Sequence, residues 1–255
     1  MRALILSLLW LLWPAQPVLA GALERAMLGK ATVVDLSHVV GEPAHAPAAQ
    51  ELPRQESEEG EHPRPSPRAL LAGDLGTHLD VPAAGLNDKP TVAHITPRQL
   101  LVQAVVVNIA ALVAERGEYR ATVGDLQAWE RRNGRIPKQA MVLLHTGWSR
   151  RWSDPARYLN LDPQGVAKVP GFSAAALAFL VNDRDVRGVG LDAFTPEGSL
   201  ADGSSDGRAL LLKGRFQIEN LTNLDRLPPK GVKLVIMPLR VEGGSAPARV
   251  IAILP

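Results

Sequence analysis

The chain has 255 residues, 46% of them hydrophobic and 21% charged, so it can bury a core without disulfides. Its formal net charge is only +2, and its densest basic stretches are the pairs Arg131-Arg132 and Arg150-Arg151. We expect no nucleic-acid partner, because such interfaces need clustered basic residues. The absence of cysteine excludes disulfides, thiolate nucleophiles and cysteine metal sites.

Residues 1–20 have the pattern of a secretory signal peptide. Arg2 precedes an apolar run over residues 3–13, and Val18-Leu-Ala20 before Gly21 is typical of a cleavage site. The apolar run is too short for a stable membrane anchor. We therefore expect a periplasmic or secreted domain over residues 21–255, with no membrane contact after signal cleavage. A buried N-terminal helix is the alternative.

A polar stretch over residues 41–67 contains six prolines and the acidic run Glu56-Ser-Glu-Glu-Gly-Glu61. This composition predicts an exposed loop. Its two interpretations are a solvated flap without function and a lid beside a functional site.

Alternating strands and helices predict an α/β domain. Thr122 and Asp125 open one helix with a pattern that resembles a capping box, and Ser173 is a good N-cap for a second one over residues 174–181. Residues 206–212 predict a third helix. Apolar or β-branched runs predict strands at residues 32–36, 69–72, 102–110, 141–145, 186–191, 232–237 and 249–254. No internal repeat and no second domain boundary is present.

The segment Asp74-Leu-Gly-Thr-His78-Leu-Asp80-Val-Pro82 concentrates metal-binding side chains. In an extended strand His78 and Asp80 point to the same face, and so does Asp74 if the strand continues through Gly76 without a bulge. Three convergent donors from one segment predict a divalent-metal site. The alternative is a strand whose polar residues face solvent.

This segment resembles the HxGTHxDxPxH signature of the cyclase superfamily, which includes bacterial kynurenine formamidase and isatin hydrolase. Other segments resemble family motifs in the same order along residues 33–254: Val34-Asp-Leu-Ser-His38, Leu144-His-Thr-Gly-Trp148, Val189-Gly-Leu-Asp192, Glu219-Asn-Leu-Thr-Asn-Leu-Asp-Arg-Leu-Pro228 and the closing stretch from Pro238-Leu to Pro247-Ala-Arg249. Ordered matches are more specific than any single motif.

The resemblance implies a single domain of the swivelling β/α/β type, with a mixed sheet flanked by helices, in a homodimer or homotetramer. It also implies metal-assisted hydrolysis of a small amide, such as an aryl formamide or a cyclic aryl amide. A metal lowers the pKa of its bound water and polarises the carbonyl, while an imidazole or carboxylate moves the proton.

The chain departs from the family pattern at three histidine positions. The first falls on Asp74, the last of the motif falls on Ala84, and a later one falls on Gly207. The predicted metal ligands are Asp74, His78, Asp80 and Glu219, and we expect Asp80 or Glu219 to act as the base. This carboxylate-rich set favours one divalent ion, Mn²⁺ before Zn²⁺ or Mg²⁺.

The remaining histidines and two tryptophans have open roles. His62 and His94 could replace the lost proton shuttle, whereas His38, His45 and His145 read as structural or loop residues. Trp148 and Trp152 either pack in the core or stack on an aromatic substrate.

Three functions compete. The first is an exported metal-dependent amide hydrolase resembling kynurenine formamidase, although export fits a cytosolic route of tryptophan breakdown to kynurenine poorly. The second is a catalytically impaired small-molecule-binding protein on the same fold, favoured by Ala84 and Gly207. The third is another metal-dependent reaction, such as dehydration or ring opening of a small acid.

Overall fold

The computed structural model describes residues 21–40, 72–84, 89–195 and 213–255. The predicted signal peptide, the loop at 41–67 and the helix at 206–212 lie outside these ranges, as do His45, His62, Gly207 and most of the strand at 69–72. Within the four ranges, no helix is both long and apolar enough to cross a membrane.

The domain contains ten strands and five α-helices in its described part. The strands are β1 (Val33–Asp35), β2 (His78–Asp80), β3 (Leu101–Asn108), β4 (Arg120–Ala121), β5 (Met141–His145), β6 (Gly171–Phe172), β7 (Gly188–Leu191), β8 (Phe216–Glu219), β9 (Val232–Pro238) and β10 (Ser245–Ile253). The helices are α1 (Gly21–Met27), α2 (Ala110–Arg116), α3 (Val123–Asn133), α4 (Pro155–Leu159) and α5 (Ala174–Asn182).

Eight strands form one mixed sheet in the order β1-β10-β2-β8-β7-β5-β3-β9. Strand β9 also pairs with β10, so the sheet closes on itself. Strands β3, β5, β7 and β8 are parallel neighbours, whereas β2 is antiparallel to both β8 and β10. The predicted α/β domain with a mixed sheet is confirmed, and the closure is a feature that the sequence pattern did not predict.

The closed sheet separates two apolar cores. Along β3, Ala104 and Val106 belong to a core made mostly of strand residues, whereas Val105 and Val107 belong to a core shared with helices α2, α3 and α5. Side chains of a strand alternate between its two faces, so one core fills the closed sheet and the other lies under the helices. This two-sided burial explains the continuous apolar runs in β3 and β5.

Both predicted helix starts are confirmed. The Thr122 side chain accepts a hydrogen bond from the Asp125 backbone N–H, and Asp125 reciprocates at the Thr122 backbone N–H. Ser173 caps α5 in the same way through the Ala176 backbone N–H. These caps satisfy N–H groups that have no partner within the helix.

The predicted strand at 141–145 coincides with β5, and those at 32–36, 186–191, 232–237 and 249–254 correspond to β1, β7, β9 and β10 with shifted ends. The strand predicted at 102–110 stops at Asn108, because Ala110 begins α2. Strand β8 was not among the predicted strands, and it carries Glu219.

Candidate metal centre

Strand β2 brings distant parts of the sequence together. It lies between β10 and β8, and its register places His78 opposite Glu219 on one side and Pro247 on the other. Directly opposite residues of an antiparallel pair have neighbouring side chains. Glu219 ends β8, so the group lies at the carboxyl end of the parallel strands.

Three of the four predicted ligands converge. His78 Nε2 lies 3.4 Å from Glu219 Oε2 and 3.8 Å from Asp80 Oδ1. One ligand atom from each side chain lies within 4.8 Å of the other two, which is close enough for one ion to contact all three. His78 is only 3% exposed, so the group is largely shielded from water.

The His78 ring is held in the orientation that a metal ligand needs. Its Nδ1 lies 2.9 Å from the Gly76 carbonyl oxygen. A carbonyl only accepts hydrogen bonds, so Nδ1 carries a proton, and in the neutral ring Nε2 presents its lone pair towards the two carboxylates. Metal-binding histidines usually donate their second N–H to a carbonyl or carboxylate in this way.

Asp80 supplies the observation that fits a cation best. Its Oδ1 is buried and has no hydrogen-bond partner among the described residues. Burial raises the pKa of Asp80, while the charge of His78 and a hydrogen bond from Ser245 oppose that rise. A buried carboxylate oxygen without a partner is costly, and a divalent ion would supply the missing contact.

In the metal-free protein, His78 is protonated at neutral pH. Burial by itself lowers the pKa of His78, but the hydrogen bond with Glu219 and the charges of Glu219 and Asp80 outweigh burial, and the pKa rises to about 9. A proton and a metal ion therefore compete for the same place between the two carboxylates.

Asp74 does not join the group of three. The condition under which Asp74 would share a face with His78, a strand that continues through Gly76, is not met, because Gly76 adopts a φ of +61° and β2 begins only at His78. The side-chain alternation of an extended strand therefore does not apply to Asp74. Its charge still acts on the site, since it raises the pKa of Asp80. Ligation by Asp74 stays a prediction.

The other sequence candidates lie elsewhere or are not tested. Ala84 ends the 3-10 helix Pro82–Ala84 directly after β2. His94 is exposed, and its Nδ1 is hydrogen-bonded to the Thr91 hydroxyl at 2.8 Å, so it stands apart from the three ligands. Replacement of the proton shuttle by His62 remains a prediction.

The two tryptophans differ in role. Trp148 is 1% exposed, and its Nε1 donates to the Tyr158 carbonyl oxygen at 2.8 Å, which makes it a core residue. Trp152 is partly buried and stacks on the His38 ring, with centroids 3.9 Å apart. The His38 backbone N–H donates to the Thr77 hydroxyl beside His78, so this stack flanks the metal centre.

Sequence reasoning missed a buried polar layer behind the site. Asp192, at the end of β7, accepts hydrogen bonds from the backbone N–H groups of Thr146 and Gly147 and from the Thr146 hydroxyl. The segments Leu144–Trp148 and Val189–Asp192, which both resemble family motifs, are therefore in contact here. Tyr158 has no motif around it, yet its hydroxyl donates to Asn220 beside Glu219 at 2.7 Å. Only the three-dimensional structure reveals this contact.

A cavity of about 450 Å³ is lined in part by residues next to His78. Thr77 and Pro247 line it, and they are the sequence neighbour and the strand partner of His78. An ion pair between Arg249 and Asp35 also lies at its surface. The three candidate ligands are not among its lining residues, so the cavity is not the metal site itself.

Comparisons with known proteins show which family this chain resembles. The Cyclase family profile matches residues 34–198. The isatin hydrolase of Roseibium aggregatum is 28% identical over 263 residues, which cover 94% of this chain and 98% of that protein. The structure of isatin hydrolase A from Ralstonia solanacearum is 32% identical and has a TM-score of 0.78, covering 94% of this chain and 99% of that one.

A more distant structure has the same fold. It is described as a potential metal-dependent hydrolase with cyclase activity, with a TM-score of 0.64 at 20% identity over 88% of this chain and 98% of that one.

The profile spans more than half of the chain, and a relative above 30% identity extends over nearly all of it. The predicted enzyme class, a hydrolase of non-peptide C–N bonds, is confirmed together with the family. The chain belongs to the Cyclase family and shares its fold.

Proposed function

We propose that this protein is an exported hydrolase that opens a small cyclic aryl amide or cleaves an aryl formamide, with one divalent ion held by His78, Asp80 and Glu219. The convergence of these three side chains, with a buried Asp80 oxygen that lacks a partner among the described residues, carries the proposal. The relatives named as isatin hydrolases favour the cyclic amide of an aromatic ring.

A divalent ion bound there supplies a water of lowered pKa and polarises the amide carbonyl. His78 contributes the Nε2 lone pair, because its Nδ1 proton is engaged by Gly76. Asp80 and Glu219 supply negative charge, and either carboxylate can accept the proton of the attacking water. Burial raises the pKa of Asp80, so its carboxylate is a stronger base than that of an ordinary aspartate.

The donor set supports the choice of metal. One imidazole and two carboxylates form a harder set than a histidine-rich site, which favours Mn²⁺ before Zn²⁺ or Mg²⁺. We further propose that the protein acts in the periplasm or outside the cell as a homodimer or homotetramer. The pattern of residues 1–20 supports export, and the family resemblance supports the assembly.

The direct test measures metal content and hydrolysis together. We expect the purified protein to carry about one divalent ion per chain, to hydrolyse isatin or an N-formyl arylamine, and to lose this activity in chelator. His78→Ala should abolish both metal binding and turnover. His94→Ala is the matched control, because His94 is exposed and stands apart from the three ligands.

A binding protein without turnover is the second candidate, favoured by Ala84 in place of the motif's last histidine. It predicts a bound ion and saturable binding of an aryl amide without product. Metal-dependent turnover of any aryl amide that disappears in His78→Ala would exclude it. A protein with less than a tenth of an ion per chain after exposure to Mn²⁺, Zn²⁺ and Mg²⁺ would contradict the hydrolase proposal.

A further inference from the structure

The Gly76 carbonyl oxygen accepts two hydrogen bonds in the buried layer behind the metal centre. One comes from His78 Nδ1 at 2.9 Å and the other from Asn220 Nδ2 at 2.7 Å. A carbonyl has two lone pairs and no proton, so both partners must be donors. This requirement sets the orientation of the Asn220 amide, because a flipped amide would place two oxygens against each other.

Tyr158 completes the sequence of hydrogen bonds. Its hydroxyl lies 2.7 Å from Asn220 Oδ1, the atom that the correct amide orientation directs towards it. Tyr158 is 1% exposed, and burial, followed by the charges of Asp192 and Glu219, raises its pKa well above the usual range. The hydroxyl is therefore neutral and donates, so that the bonds run from Tyr158 through Asn220 to Gly76, where His78 also donates.

The backbone of Asn220 joins two of the candidate ligands. Asn220 directly follows Glu219, and its carbonyl accepts a hydrogen bond from the hydroxyl of Thr77, which directly precedes His78. Its own N–H donates to the Ala193 carbonyl oxygen at 2.9 Å. Its φ of +54° lies in the left-handed region, which asparagine tolerates better than most residues.

We propose that Asn220, itself oriented by Tyr158, is a positioning residue that holds the Gly76 turn and thereby directs His78 Nε2 towards Asp80 and Glu219. The inference rests on the metal centre proposed above. It assigns a role to two residues that do not touch the ion, and it explains why a tyrosine hydroxyl is buried behind a carboxylate-rich site.

The test compares the chain's only two tyrosines. Tyr158→Phe removes one oxygen and keeps the ring, and Tyr119→Phe removes a hydroxyl that donates to Asp125 at the start of α3. Outer partners of metal ligands typically contribute about 10–100-fold to metal affinity. In titrations of the metal-free full chain with Mn²⁺, we expect Tyr158→Phe to weaken binding by about tenfold and Tyr119→Phe to leave it unchanged.

Asn220→Gly extends the test. Glycine adopts a positive φ without steric cost, so this variant deletes the side chain while permitting the backbone conformation. We expect Asn220→Gly to weaken Mn²⁺ binding by about 10–100-fold. Adding Tyr158→Phe to it should have little further effect, because residues of one network are not additive. If Asn220→Gly does not fold, the Mn²⁺ affinity of Tyr158→Phe alone tests the positioning role.

Thermal unfolding of the metal-free variants separates positioning from general stability. A merely structural role predicts lower melting temperatures with unchanged affinity, and this result for Tyr158→Phe would overturn the inference. A wild-type chain that binds no Mn²⁺, Zn²⁺ or Mg²⁺ would overturn the proposed function instead. A wild-type chain that binds metal, with both variants binding equally well, would overturn only the positioning role.

Discussion

The conformation of Gly76 determines where strand β2, which carries His78 and Asp80, begins. Its φ of +61° disfavours any residue with a Cβ, and a Cβ placed there would lie 3.1 Å from Val40 Cγ2. The turn at Gly76 directs its carbonyl oxygen towards His78 Nδ1, from which it accepts a hydrogen bond. A single backbone conformation therefore separates Asp74 from the ligand strand and orients the first ligand.

Gly76→Ala is expected to reduce both stability and metal affinity. The left-handed conformation costs a residue with a Cβ about 1–2 kcal/mol, which should appear in urea unfolding. The matched control is Gly117→Ala, which has a φ of +76° and nothing within 4 Å of the added Cβ. It should also lose stability, because its φ is positive, but it should keep wild-type Mn²⁺ affinity. Equal affinities in both variants would contradict a role for the Gly76 turn in the site.

His78 makes metal binding dependent on pH. Because its pKa in the metal-free protein is about 9, an ion must displace a proton at any pH below that value. We expect affinity to rise by about tenfold per pH unit between pH 6 and 8, with one proton released per ion. Calorimetry in buffers of different ionisation enthalpy measures this release. An affinity that stays constant between pH 6 and 8 would contradict the inference that a proton and a metal ion compete for the position between the two carboxylates.

At the scale of elements, strand β2 has three residues and owes its position to its neighbours. It is paired with β8 on one side and with β10 on the other. Leu79, which lies between the two ligands, is fully buried in the core that fills the closed sheet. The alternation of a strand then directs both flanking side chains, His78 and Asp80, to the opposite face. Packing of one leucine thus sets the direction of two ligands.

Helix α3 is joined to the loop after α5 by a bidentate ion pair. Arg184 Nε and Nη2 contact Glu130 at 2.7 and 2.8 Å, and both side chains are 13% exposed. The hydrogen bond from Arg184, followed by one from the Ile136 backbone, lowers the pKa of Glu130 despite its partial burial. Glu130→Gln should reduce the free energy of unfolding at pH 7 by about 1–2 kcal/mol.

The sign of the pH dependence follows from the lowered pKa. A group whose folded pKa lies below its unfolded value stabilises the protein above the unfolded pKa, which is 4.5 for Glu130, and this stabilisation is lost as pH falls through the folded pKa. The difference between wild type and Glu130→Gln should therefore shrink below pH 4.5. Asp225→Asn, in an exposed pair with Arg150 at 3.9 Å, is the control and should change stability by less than about 1 kcal/mol.

At the scale of the whole molecule, the metal centre joins distant parts of the chain, since Glu219 lies about 140 residues from His78. An ion that both side chains hold therefore binds the folded state and not the unfolded one, so it stabilises the fold. At a free ion concentration a hundred times the dissociation constant, we expect stabilisation of about 2.7 kcal/mol. For a domain of this size that raises the melting temperature by about 5–10 °C.

Scanning calorimetry with and without chelator measures this difference. His78→Ala should melt at the same temperature under both conditions, whereas His94→Ala should keep the wild-type difference. A wild-type melting temperature that does not respond to chelator after loading with Mn²⁺ would contradict the centre. The measurement needs no substrate, so it tests the site separately from the reaction.

Much of the fold could be predicted because local signals agree with it. The capping residues Thr122 and Ser173 act within their own helices, and the apolar run at 141–145 is a strand buried on both faces. Strand β8 was not predicted because it is short and lacks a continuous apolar run. Two of its four residues, Gln217 and Glu219, are polar, yet both are buried by neighbouring strands.

The sequence by itself determined the family, the cap positions and three of the candidate metal ligands, because motifs and local hydrogen bonds are properties of neighbouring residues. Tertiary structure alone decided that Asp74 is not part of the group of three, that Glu219 faces His78, and that Tyr158 and Asn220 are hydrogen-bonded behind the site. Those contacts depend on the turn at Gly76 and on the register between β2 and β8, which arise only when strands far apart in the chain pair and bury their apolar faces together.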